Sequence, residues 1–176
     1  SFSDGAGHIL EVGTNTAAYS SDISGTMVAA SPVSYKSVKV EWDAIEGVQN
    51  YEIYMSSTST GNYELVATVD QRTLSYTVDD LAVGTNYYFK VAGTRIVSGE
   101  KVTGPMSAYA TGKPLFNTST VTASNPTQSS INLKWTAVEG AQFYQVWRST
   151  NADMSGRICI GTYDANTLTR TSANLM

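Results

Sequence analysis

VKVEWDAIEGVQNYEIYMSS, residues 38–57, returns later in the chain as INLKWTAVEGAQFYQVWRST, residues 131–150. Placing Trp42 over Trp135 sets Ala44, Glu46, Gly47, Gln49, Tyr51 and Ser56 over Ala137, Glu139, Gly140, Gln142, Tyr144 and Ser149. Downstream, ATVDQRTLSYTVDDL (67–81) matches GTYDANTLTRTSANL (161–175) after one inserted residue, and upstream VAAS (28–31) matches VTAS (121–124). A collinear series of this length is an internal repeat, so the chain holds two copies of one structural unit.

Within each copy the apolar residues alternate. Val38, Val40 and Trp42 alternate with Ser37, Lys39 and Glu41; Tyr51, Ile53 and Met55 share one face, and Glu52 and Tyr54 share the other. Tyr87, Phe89 and Val91 alternate in the same way with Tyr88 and Lys90. Period two over four to six residues marks a half-buried strand. IEGVQ and SSTSTGN supply turn residues between strands. Short strands at this spacing, with no helical stretch, imply an all-β sandwich.

Composition narrows the function. The 176 residues are 41% hydrophobic, enough for a packed core, and carry 15 acidic against 11 basic side chains for a net charge of −4. No run of lysine or arginine is present to neutralise a phosphate backbone, so no nucleic-acid partner is expected. No apolar run is long enough to span a bilayer as a helix, and no signal-peptide pattern is visible. One cysteine, Cys159, excludes an intrachain disulfide and a cysteine-based metal site.

One stretch occurs in the first copy alone. LAVGTNYYFKV, residues 81–91, places a glycine (Gly84) three positions and a tyrosine (Tyr87) six positions after Leu81. With Trp42 on the second strand and Tyr51 and Ile53 on the third, this ordered set resembles the fibronectin type III domain, and more narrowly repeats in secreted and cell-surface proteins of Gram-positive bacteria. The resemblance implies tandem immunoglobulin-like β-sandwiches. It makes Tyr87 a corner tyrosine whose ring packs inside while its hydroxyl bonds upstream backbone. Residues 22–113 form the first domain, and residues 114–176 a second, incomplete one without its last two strands. HILEVGTNTAAYSS (8–21) resembles GEKVTGPMSAYATG (99–112), so residues 1–21 read as the tail of a preceding repeat or a linker. The chain is thus expected to be a fragment of a longer array.

An incomplete sandwich exposes an edge and an apolar face. Trp135, Tyr144 and Val146 are therefore expected to be poorly covered, with three routes to cover: a strand such as HILEV from a neighbouring chain, packing on the first domain, or residues outside this sequence. The first route would make the protein self-associate through strands.

No reaction chemistry is legible. His8 is the single histidine, which leaves no histidine-paired nucleophile and no multi-histidine metal site. Cys159 falls on a strand and is expected to be packed or half-exposed. Asp79 and Asp80 lack the alternating-oxygen spacing of a calcium loop. Glu46 and Glu139 occupy equivalent turns and read as turn structure. SDGAG lacks the lysine and following helix of a phosphate loop. No catalytic residue, metal ligand or cofactor is expected.

The candidate binding groups are aromatic. If Tyr51 and Ile53 face the core, Tyr54 faces out, as does its equivalent Trp147, and by the same alternation Tyr88 faces out from the sixth strand. Tyr54 and Tyr88 are expected to form an exposed pair that stacks on sugar rings or anchors a protein, or else one that stabilises the sheet. Trp42, Tyr51, Tyr87, Trp135 and Tyr144 are the structural counterparts. The chain reads as a spacer and interaction module of a larger protein whose partners are neighbouring domains of the same polypeptide. The alternative is an adhesion module that binds carbohydrate, cell wall or protein. The resemblance implies an extracellular or cell-surface location.

Overall fold

The computed structural model describes residues 2–3 and 9–10 by their backbone and residues 23–174 in full. Expectations placed on His8, on Gly5 and Gly7, and on Leu175 lie outside these residues, as does most of the proposed repeat tail. The described residues form fifteen strands and no helix. The first two, β1 (Phe2–Ser3) and β2 (Ile9–Leu10), pair antiparallel with each other. Within one chain, Ile9 and Leu10 thus take Phe2 and Ser3 as strand partners.

The first domain has two sheets. One holds β3 (Val28–Ser34), β4 (Ser37–Trp42) and β7 (Ser75–Val78) in the order β3-β4-β7. The other holds β5 (Asn50–Ser56), β6 (Glu64–Asp70), β8 (Tyr87–Val97), β9 (Glu100–Thr103) and β10 (Ala110–Gly112). Its order is β10-β8-β5-β6, with β9 also paired to β8. The inward residues of both sheets meet as alternation dictates. Val38, Val40, Ile53, Phe89 and Val91 are fully buried, and Trp42, Tyr51, Val78 and Leu81 are nearly so. Tyr87 is half-buried.

Two tyrosines fix the chain path. The Tyr51 ring lies 5.5 Å from that of Trp42, and its hydroxyl accepts the buried Ile45 N–H at 2.9 Å. The Tyr87 hydroxyl accepts the Ala82 N–H at 3.0 Å, across a turn where Gly84 adopts φ +75°. Glycine takes that conformation without the Cβ clash other residues suffer. The seventh strand is split into β9 and β10. Pro105 interrupts it, having no N–H to give the ladder. Ser107 bridges the break: its hydroxyl accepts the Val91 N–H at 3.0 Å, and its own N–H donates to the Val91 carbonyl at 2.9 Å.

The second domain repeats the first three-stranded sheet as β11 (Val121–Ser124), β12 (Ser130–Trp135) and β15 (Thr169–Ala173), ordered β11-β12-β15. Facing it are β13 (Phe143–Arg148) and β14 (Ile158–Asp164), paired to each other. Both domains place a register shift at the same point of the third strand, between Ile53 and Tyr54 and between Val146 and Trp147. The contact of Tyr144 with Trp135 recurs at 6.1 Å, and the Tyr144 hydroxyl accepts the Val138 N–H at 2.8 Å.

The expectation that Trp135 would be poorly covered is overturned: its residue is 3% exposed. Tyr144 and Val146 are half-buried. The cover comes from a local exchange of side-chain size. Where the first domain has Ala67 and Val69, the second has Gly161 and Tyr163. The Tyr163 ring leans over Gly161, where any Cβ would collide with it, and meets Trp135 at a centroid distance of 5.7 Å.

Replacing Trp42 with Ala should lower stability by about 3–5 kcal/mol, lost transfer energy plus a cavity, as read in denaturant melts. Tyr51→Phe, which strands the buried Ile45 N–H, should cost about 1–3 kcal/mol. Tyr163→Val should leave the fold of the first domain unchanged while opening Trp135 to a soluble fluorescence quencher. Unchanged quenching of Trp135 would show that something other than Tyr163 covers it.

Candidate functional site

The outer face of the five-stranded sheet gathers aromatic and charged side chains. Register sets Tyr54 opposite Lys90, Ser56 opposite Tyr88 and Glu52 opposite Ala92. Leu65 stands opposite Tyr54 on the other side, and Thr111 opposite Tyr88. Because side chains alternate across a sheet, these residues share the face turned away from the core. Tyr63 joins them from just before β6 and Tyr109 from just before β10.

Two groups form on this face. In the first, the Lys90 ammonium lies 4.5 Å from the centre of the Tyr63 ring, a cation–π contact. Tyr63 is tied down by its hydroxyl, which donates to the Ser59 carbonyl at 3.0 Å. Beside it Tyr88 and Tyr109 meet edge to face, centroids 5.4 Å apart at 80°. Burial, and then the neighbouring Tyr109 and Tyr88, push the Tyr63 hydroxyl above its ordinary pKa. Lys90 makes no ion pair with any described carboxylate.

The second group centres on Glu52, whose residue is 4% exposed. Its Oε1 accepts from Lys101 Nζ at 2.7 Å and its Oε2 from the Tyr54 hydroxyl at 2.5 Å. Burial pushes the Glu52 carboxyl up. The Lys101 hydrogen bond, the Tyr54 hydroxyl and the Lys101 charge outweigh it and hold the group below the usual carboxylate range. Burial raises Tyr54 first, and the bond to the Glu52 carboxylate and its charge add to that, so Tyr54 is pushed up to about 12.

Tyr54 and Tyr88 thus share a face without stacking on each other. The ring partner of Tyr88 is Tyr109, and Tyr54 is engaged with Glu52. Trp147 lies in the other domain, 43% exposed, with the Arg157 guanidinium 5.6 Å from its ring. It also borders a cleft of about 470 Å³ lined by Ile131, Leu133, Met154 and Ile160. Tyr63, Lys90 and Tyr109 were not singled out from sequence. Tyr63 and Tyr109 enter from loops, where period-two counting stops, although Tyr63 keeps the parity of Leu65.

The remaining groups show little chemistry. Cys159 is exposed, not packed or half-exposed as expected, because its strand pairs only with β13 and turns it to solvent. Asp79 accepts from the Ser37 hydroxyl at 2.5 Å. Among the described residues no three His, Cys, Asp or Glu side chains cluster to hold a metal.

Residues 25–111 match the family model of the fibronectin type III domain. The chain is similar to a Fn3-like protein from Clostridium thermocellum at 27% identity, over 50% of this chain and 88% of that one, with a TM-score of 0.43. It is similar to a two-domain fibronectin type III segment of chicken tenascin at 14% identity, over 85% and 82% of the two chains, with a TM-score of 0.46. A β-1,2-glucanase from Parabacteroides distasonis is matched at 20% identity over 55% of this chain and 13% of that one, TM-score 0.44. No curated protein matches the chain.

The Tyr54 pair has a pH signature. With its folded pKa raised from 10.0 to about 12, Tyr54 contributes stability that is complete below pH 10 and is lost as pH rises towards 12. In an alkaline titration followed by tyrosinate absorbance, Tyr54→Phe should remove a late component near pH 12. Removal of an early component near pH 10 instead would mean that the Glu52 bond does not persist in solution.

Proposed function

We propose that this chain, which belongs to the fibronectin type III family through residues 25–111, is a non-catalytic spacer and interaction module of a larger secreted or cell-surface protein. Domains of this family are generally non-catalytic modules of larger proteins. The observation that carries the spacer reading is the junction between the two domains. The Pro114 carbonyl accepts the Gly84 N–H at 2.8 Å, which ties the connecting segment to the corner turn, and Pro114 is fully buried. Two residues on, Phe116 stacks on Tyr35, centroids 5.8 Å apart at 10°. The Tyr35 ring in turn lies against Gly140 of the second domain, at φ +78°, where a Cβ would come within 2.6 Å of it. These contacts bridge the two domains and support the stiff-spacer reading.

A second reading rests on the tyrosine face. Tyr54, Tyr63, Tyr88 and Tyr109 on one sheet surface, with Lys90 among them, suit an adhesion module that binds carbohydrate, cell wall or protein. The edge of β13 that faces away from β14 is unpaired among the described residues, and strand addition there would allow self-association. Sedimentation velocity across a concentration series reads that directly.

The spacer reading is tested by paired spin labels, one on each domain. The wild type should give one narrow distance distribution, and Phe116→Ala combined with Tyr35→Ala, which removes both rings of the junction, should broaden it while each domain stays folded. A broad distribution in the wild type would overturn the stiff spacer.

A further inference from the structure

We infer that the tyrosine face of the first domain takes an acidic polysaccharide, a chain of sugar rings bearing carboxylates, with Lys90 as the charge-selecting residue. The inference rests on the binding reading above and adds the ligand class. Three features of the face carry it. Tyr88 and Tyr109 are set edge to face, and Tyr109 is 50% exposed, so aromatic surface is open to a ligand. A pyranose presents its axial C–H bonds, weakly positive, to the negative face of an aromatic ring. The hydroxyls of Tyr88 and Tyr109 make no hydrogen bond within the described protein and remain free to bond sugar hydroxyls.

The charges then decide between a neutral and an acidic chain. Glu52 is matched by Lys101 at 2.7 Å. Lys90 is left with its positive charge over Tyr63 and no described carboxylate to offset it. The chain's net charge of −4 acts weakly on a ligand there, since exposed charges beyond about 8 Å are largely screened at physiological ionic strength. Tyrosines are also enriched at protein interfaces while lysine is depleted there, so the choice of sugar over an acidic protein is read from the polyglutamate arm of the test.

The test uses the full chain and polygalacturonate as the probe, with its methyl-esterified form as the same sugar without charge and polyglutamate as the same charge without sugar. Affinity electrophoresis or calorimetry should show binding to polygalacturonate, about tenfold weaker after esterification, the scale of one charge-assisted hydrogen bond. Lys90→Gln should lose a similar factor on polygalacturonate and nothing on the ester. Tyr88→Ala with Tyr109→Ala should abolish both, with thermal melts to verify folding and Tyr109→Ala alone as the milder variant. Equal binding of ester and acid would overturn the charge selection while leaving the tyrosine face a glycan site. Equal binding of polyglutamate would overturn the sugar class. Binding that survives the tyrosine changes, or no binding to either polysaccharide, would overturn the face itself.

Discussion

The Tyr51 hydroxyl holds the Ile45 N–H at 2.9 Å while its ring leans on Trp42, and this contact ties the end of one sheet to the start of the other. A sandwich is closed by inward side chains of two sheets, and the step from β4 to β5 is where the chain changes sheets. A buried N–H left unpaired at that step would cost about 1–3 kcal/mol. Tyr51 satisfies it with a group that also fills the core beside Trp42. The same device recurs in the second domain as Tyr144 on Val138 and Trp135, where it holds five strands together with neither a corner tyrosine nor a strand like β8 among the described residues.

Local devices repeat because they need nothing from distant strands. Gly47 and Gly140 both adopt φ +78° in equivalent turns. Asp70 accepts the Arg72 and Thr73 N–H groups and the Thr73 hydroxyl at 3.0–3.1 Å, and Asp164 does the same with Asn166 and Thr167. The Arg72 backbone bond and the Thr73 hydroxyl hold the Asp70 carboxyl below its ordinary range. These turns are short side-chain-to-backbone closures. They aim the next strand, β7 or β15, back at Trp42 or Trp135, whose backbone N–H groups donate to the Leu74 and Leu168 carbonyls.

What was legible in the sequence follows the same division. The strands, their phases and the buried set Trp42, Tyr51, Ile53, Phe89 and Val91 could be read because alternation within one strand decides which residues turn inward. The coverage of Trp135 could not. It depends on Tyr163 crossing over Gly161, a pairing of one large and one absent side chain two positions apart that no periodicity encodes. Nor could the site be assembled from strands alone. Tyr54 and Tyr88 were placed on the right face, but the rings beside Tyr88 come from loops, the cation beside Glu52 and Tyr54 comes from β9, and Lys90 gains its role only through the register that sets β8 beside β5.

The outer faces of the two domains differ in a way that bears on function. Where the first has Tyr54 and Tyr63, the second has Trp147 and Arg157. The first holds Lys90 over Tyr63; the second holds Arg157 over Trp147. Each outer sheet thus keeps a cation against an aromatic ring while exchanging which strand supplies which partner. A purely structural role would be met by any cross-strand pair worth about 0.2–1 kcal/mol. A cation held over a ring adds about 0.5–1 kcal/mol of its own at an exposed site, so both pairs stabilise their sheets as they stand. Their different geometry means that a ligand matched to one face would not match the other. Tyr88 and Tyr109 extend the aromatic surface of the first domain beside Lys90, and that extension, absent around Trp147 and Arg157 among the described residues, is the reason the polysaccharide proposal is placed on the first domain.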